Sequence, residues 1–155
     1  MLDLNNLDTS REQELNRALE ALHFAFRAVI AKPDALLAER GLSRVHHRIL
    51  YFIGRHPGLS VNELLALLGV SKQSLNAPLR QLTKLALIEA KADPRDRRIK
   101  RLTLTDEGLG LEKELSGDQR QRFARAFEIV GREGEITWHQ IMKLLAEDIL
   151  PDLMN

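Results

Sequence analysis

The sequence predicts a mainly α-helical fold with one small β-hairpin. Three observations carry that expectation. Apolar residues recur at steps of three and four over most of the chain, the period of a helix with one buried face. A glycine or proline closes almost every such stretch. From Ile88 the period drops to two, and it does so again after a short polar segment.

Taken in order, Thr9 and Ser10 each head a capping-box spacing, with Glu12 and Gln13 three residues on. Leu15, Leu19, Leu22, Phe26 and Val29 then form one stripe, as on a helix packed lengthwise against another. Pro33 is expected to end this helix, because the residue before a proline is pushed out of helical geometry. A short helix over residues 34–40 follows, and Gly41 supplies a left-handed cap. Ser43 starts the next helix, whose apolar side is Val45, Ile49, Leu50, Phe52 and Ile53. It ends at Arg55-His56-Pro57-Gly58.

Ser60-Val61-Asn62-Glu63 is a second capping box, opening a helix that Gly69 terminates. Ser71 caps the next, with Leu75, Leu79, Leu82 and Leu85 as its buried face. The segments 88–92 and 99–105 read as two strands joined by the polar turn Asp93-Pro94-Arg95-Asp96-Arg97-Arg98. Thr105 caps a last helical region carrying Leu109, Leu115, Phe123, Phe127 and Val130. Ser116-Gly117 is expected to weaken it, Gly131 and Gly134 to break it, and Pro151 to stop the final helix over 136–150.

Two helices joined by a tight glycine turn and followed at once by a basic hairpin spell a winged helix-turn-helix. Gly69 can take the positive φ of such a turn, Val70 can plug the angle, and Ser71 pins the first turn of the second helix. That helix would then expose Lys72, Gln73, Ser74, Asn76 and Arg80 beside Ser71, all hydrogen-bond donors. Gln and Asn can pair bidentately with adenine, Arg and Lys with guanine, and the capped N-terminus favours a phosphate. Arg95, Arg97 and Arg98 lie around the hairpin tip, and arginine suits a narrow minor groove. Asp96 is expected to orient a neighbouring arginine. Residues 71–105 hold nine Lys and Arg against three carboxylates in a chain of net charge +1, so a basic module sits in an acidic body.

These residues resemble the MarR family of bacterial transcriptional regulators over nearly the whole chain. The core of the resemblance is Leu42-Ser43-Arg44-Val45-His46-His47-Arg48-Ile49-Leu50, Leu59-Ser60-Val61-Asn62-Glu63-Leu64 and Val70-Ser71-Lys72-Gln73-Ser74-Leu75. It continues through the charged turn into Leu102-Thr103-Leu104-Thr105-Asp106-Glu107-Gly108, the most specific stretch. The resemblance implies a winged helix DNA-binding lobe over 34–105, with dimerisation helices over 8–32 and 106–153 interlocking in a homodimer. It implies binding to an inverted repeat of double-stranded DNA as a ligand-responsive repressor, with Arg98 as the minor-groove arginine. It further implies a small aromatic or phenolic effector between the dimerisation helices and the lobe. His23, Phe26, Arg27, His46, His47 and Tyr51 are the residues expected to line that site. For the histidines the competing reading is a hydrogen-bonded place in the core. Asn76-Ala77 departs from the Thr-Arg or Ser-Arg of many relatives, Pro78 falls inside the recognition helix, and Ala86 replaces the usual glycine before Leu-Ile.

Other functions find little support. A phosphate-binding glycine loop, a Gly-x-Ser-x-Gly elbow and a His-Glu-x-x-His helix are all missing, so no enzyme, metal or cofactor is expected. Neighbours His46 and His47 point about 100° apart on a helix and cannot share a metal face. Without Cys, disulfides, thiolate zinc sites and cysteine peroxide sensing are closed. The longest apolar runs are far too short to span a bilayer, and the first residues lack a signal core, so cytoplasmic residence is expected. The alternative function is a winged helix that contacts protein and not DNA.

Overall fold

The computed structural model describes residues 9–150. The order is α1 (Thr9–Glu39), α2 (Arg44–Arg55), β1 (Leu59–Ser60), α3 (Val61–Leu68), α4 (Lys72–Lys84), β2 (Ile88–Ala92), β3 (Lys100–Leu104) and α5 (Asp106–Ala146). Pro151 as a helix stop, and the last residues of the segment 106–153, lie outside the described residues. Among the described residues no helix is long and apolar enough to cross a membrane.

The fold is mainly helical with one antiparallel sheet, and the sheet has three strands in the order β1-β3-β2. The two-stranded hairpin expected from sequence is present as β2 paired antiparallel with β3, and β1 adds a third strand, where Leu59 faces Leu102 and Ser60 faces Arg101. Two residues are too short to display an alternation. The core gathers Leu37, Ile49, Leu50, Ile53, Leu64, Leu75, Leu82, Ile88, Leu102 and Leu115 from every helix and from the sheet.

Pro33 does not end the first helix. It lies inside α1, fully buried. A proline has no N–H for the carbonyl four residues back, here that of Val29. Gln119 of α5 donates its Nε2–H to that carbonyl at 3.3 Å, which supplies the missing partner from another helix. The predicted helix over 34–40 is therefore the last part of α1, and Gly41 follows it at φ 70°.

Gly117 does not interrupt α5 either. The helical path breaks at Gly131, whose φ of 79° and ψ of 179° lie outside helical geometry. Gly108 is required for a different reason: a Cβ there would strike the Leu87 carbonyl. Thr105 fixes this close approach. Its N–H donates to Leu87 O at 3.1 Å, its hydroxyl donates to Ala86 O at 2.6 Å, and the same oxygen accepts from Gly108 N–H at 3.0 Å. The Leu-Thr-x-x-Gly signature is thus the joint between the sheet and α5. Ala86 itself takes a left-handed φ of 56°.

Candidate nucleic-acid interface

Gly69 closes α3 in the left-handed region at φ 65°, and Ser71 caps α4 by accepting from Ser74 N–H at 3.2 Å. Leu75 and Leu82 are wholly buried under this helix, while Leu85, expected beside them, is exposed beyond its end. Val70 is also exposed and does not plug the turn. Ser71, Lys72, Gln73, Ser74, Asn76 and Arg80 all face outward. The helix runs unbroken across Pro78. The carbonyl left without a helical donor belongs to Ser74, on the exposed side, where water can serve it.

Behind the exposed face, α4 is tied to α2. His46 Nδ1 accepts from Ser43 N–H at 3.0 Å, so its proton sits on Nε2 and is donated to Gln81 Oε1 at 2.9 Å. Gln81 in turn donates to the Gly41 carbonyl at 3.4 Å. His46 is therefore an internal strut of the lobe.

The wing is the loop between β2 and β3. Asp93 N–H bonds Ile99 O at 2.8 Å and closes it. Asp96 Oδ1 accepts from both the backbone N–H and Nε of Arg98 at 3.1 Å, and Oδ2 from Nη2 at 3.2 Å. This fork holds Arg98 in one orientation although its side chain is 91 % exposed. The same bonds keep the Asp96 carboxyl below its ordinary range. Arg95 and Arg97 are exposed beside it.

Sequence reasoning missed Arg101. From β3 its Nε donates to Asp93 Oδ2 at 2.9 Å and its Nη1 to Glu63 Oε1 at 3.0 Å. Glu63 Oε1 also accepts from Ser60 N–H at 3.2 Å, completing the predicted capping box. The only local signal was the Ser60-x-x-Glu63 spacing; its pairing with Arg101 is long-range.

The six residues expected to line an effector site are not all brought together. Phe26, His47 and Tyr51 line a cavity of about 220 Å³ between α1, α2 and α5, with Arg44, Arg48 and Gln119. Arg44 bonds Asp34 at 2.9 Å and lies over the Phe26 ring at 5.2 Å. His23 and Arg27 are exposed and outside this lining, as is the buried His46. His47 is buried and meets Ser116 Oγ at 3.0 Å. Burial pushes its pKa below 6.5, and the nearby Glu112 carboxylate opposes this only in part. Glu112 is itself buried, with Arg55 at 3.6 Å and Arg120 at 3.9 Å.

Comparison with known proteins places this geometry. The profile described as MarR family matches residues 40–99, the lobe that carries the turn, α4 and the wing. The HTH-type transcriptional regulator PetP of Rhodobacter capsulatus is 39 % identical over 136 residues, covering 88 % of this chain and 82 % of PetP. Among solved structures, Streptococcus pneumoniae FabT in complex with DNA superposes with a TM-score of 0.75 at 18 % identity, covering 86 % of this chain and 95 % of FabT. NadR in complex with 4-hydroxyphenylacetate gives 0.66 at 23 % identity, covering 94 % and 98 % of the two chains.

Proposed function

The chain belongs to the MarR family of winged-helix DNA-binding transcriptional regulators, and from that premise we propose that it is a homodimeric repressor that binds an inverted repeat in duplex DNA and releases it when a small effector binds. It is a regulator and not an enzyme. The observation that carries the DNA-reading assignment is the donor-rich outer face of α4 beside a wing arginine held ready by Asp96. Ser71, Lys72, Gln73, Ser74, Asn76 and Arg80 read base edges and phosphates, while Arg98 enters the minor groove, flanked by Arg95 and Arg97. FabT, which shares the fold, was crystallised with DNA.

Homodimer formation is supported by apolar side chains left bare on the terminal helices and just past the end of α5. Leu19, Leu22, Ile129, Leu144, Leu145 and Ile149 are all more than half exposed, and extended apolar surface of this kind marks an interface. The effector reading is supported by the cavity at Phe26, His47 and Tyr51, where Val29, Ile30 and Pro33 of α1 are apolar, Arg48 is cationic and Arg44 is paired with Asp34. NadR binds the phenolic acid 4-hydroxyphenylacetate, and an aromatic or phenolic acid suits rings and guanidinium groups together. No resident cofactor is needed.

Selection of duplexes from a random pool tests the function as a whole. The expected product is a two-fold symmetric site with half-sites about one helical turn apart, bound in a strongly salt-dependent way. Retention of no duplex, or of duplexes without symmetry, contradicts the proposal.

A further inference from the structure

We propose that Arg101 is a positioning residue that fixes the wing against the helix-turn-helix, and so sets where Arg98 is presented. The inference rests on the DNA-reading function proposed above. Arg101 occupies the central strand, opposite Ser60 of β1 on one side and Lys91 of β2 on the other. From that register its guanidinium reaches in two directions. Nη1 meets Glu63 at the start of α3, and Nε meets Asp93 at the root of the wing tip.

Each carboxylate is anchored by backbone as well. Glu63 accepts from Ser60 N–H at 3.2 Å, and Asp93 Oδ1 accepts from Arg95 N–H at 2.7 Å. One planar cation therefore links the cap of α3 to the turn that carries the wing arginines. The link matters because β1 pairs with β3 only at Arg101 and Leu102. Past Arg101 the wing is a two-stranded ribbon, the kind of sheet that twists most freely. Both bonds are charge-assisted, and they need the fork of an arginine, which a lysine lacks. The Ser60 N–H holds the Glu63 carboxyl below its ordinary range and the Arg95 N–H does the same for Asp93, with Arg101 adding to both, while Asp93 raises the Arg101 guanidinium.

A simpler role for Arg101 is one more cation facing phosphate. The two roles predict opposite signs at Asp93. Removing a carboxylate from a basic surface strengthens DNA binding by electrostatics alone. If Asp93 holds Arg101 in place, the same change weakens it. Asp93→Asn keeps Oδ1 for Arg95 N–H and replaces the oxygen that accepts from Arg101 Nε, so the turn survives while that bond is lost. Glu63→Gln keeps Oε1, which accepts from both Ser60 N–H and Arg101 Nη1, so the cap survives and only the charge that strengthens the Arg101 bond is removed.

The test uses the full chain and the duplex that the wild type selects. Asp93→Asn and Arg101→Lys are each expected to lower affinity about fivefold, the scale of a pairwise coupling, and Glu63→Gln by less, because it removes a charge and not an acceptor. Arg98→Ala is expected to cost less in an Arg101→Met background than in the wild type, because a misplaced wing has already lost part of that contact. Asp93→Asn binding as tightly as wild type or more so overturns the inference, and so does an Arg98→Ala loss of equal size in both backgrounds. Should Asp93→Asn fail to fold, Arg101→Lys and the double-variant cycle decide. A wild type that selects no duplex removes the DNA-reading function and this inference with it, whereas a binding wild type with unresponsive variants removes the inference alone.

Discussion

The buried core of this chain is drawn from residues 37–115, whereas α1 before Pro33 and α5 after Ser116 contribute no buried side chain among the described residues. In the first region Leu50, Leu64, Leu75 and Leu82 are completely enclosed. In the second, Leu19 is 68 % exposed, Leu145 68 % and, just past α5, Ile149 82 %. The amino acids are the same and their helical spacing is similar; what differs is whether the chain provides a surface opposite. The lobe closes its core together with the start of α5, which contributes Leu111 and Leu115. The terminal helices carry exposed apolar stripes, and in the proposed homodimer a second copy of the same stripes covers them.

The largest effects should divide along this line. Leu50→Ala removes an enclosed side chain and is expected to cost about 3 kcal/mol of folding stability, read by chemical denaturation at any protein concentration. Leu145→Glu is expected to leave the lobe folded and instead to weaken self-association, seen as a lower mass in sedimentation. If Leu145→Glu destabilised a dilute monomer as much as Leu50→Ala does, the distinction between the regions would be lost.

Within the lobe, function and stability should separate too. Arg98→Ala is expected to lower duplex affinity by about 1–3 kcal/mol, roughly fivefold or more, as for a specific arginine contact. The melting temperature should hardly move, because this side chain is almost wholly in solvent. A matching loss of stability would assign Arg98 to the fold and not to DNA.

Much of the lobe was legible because its rules are local. Ser60 with Glu63, Gly69, Ser71 and the Asp96 turn each act within a few residues of their partners. What stayed hidden is long-range. Gln119 rescues the Val29 carbonyl across ninety positions, so Pro33 could not be seen as a residue inside a helix. Arg101 meets Glu63 across thirty-eight positions. Residue type alone does not say which effector-site residues meet, and the fold separates them: Phe26, His47 and Tyr51 converge while His23, Arg27 and His46 stand elsewhere. Buried Glu112 carries no periodic signal; only the fold places Arg55 and Arg120 beside it.

The junction between the two regions should respond to pH. His47 of α2 and Ser116 of α5 meet there, and burial lowers the imidazole pKa below 6.5. As pH falls the unfolded chain takes up this proton first, so His47 contributes stability above pH 6.5 that is lost as pH drops further. The lowered carboxyls of Glu63, Asp93 and Asp96 lose their contributions only at more acid pH. Melting temperature should therefore fall as pH drops below 6.5, and less steeply in His47→Gln. Equal slopes in both proteins would exclude His47 as the cause. The smallest expected effect is Ala86→Gly, which relieves a left-handed alanine and should add about 0.5 kcal/mol of stability, measured by denaturation.

The account stands on the terminal helices of two chains completing each other while the two lobes read one duplex. The mass of the complex formed with the selected duplex tests this most directly. Two 17.6 kDa chains per duplex are expected, and a stable complex holding a single chain would contradict it.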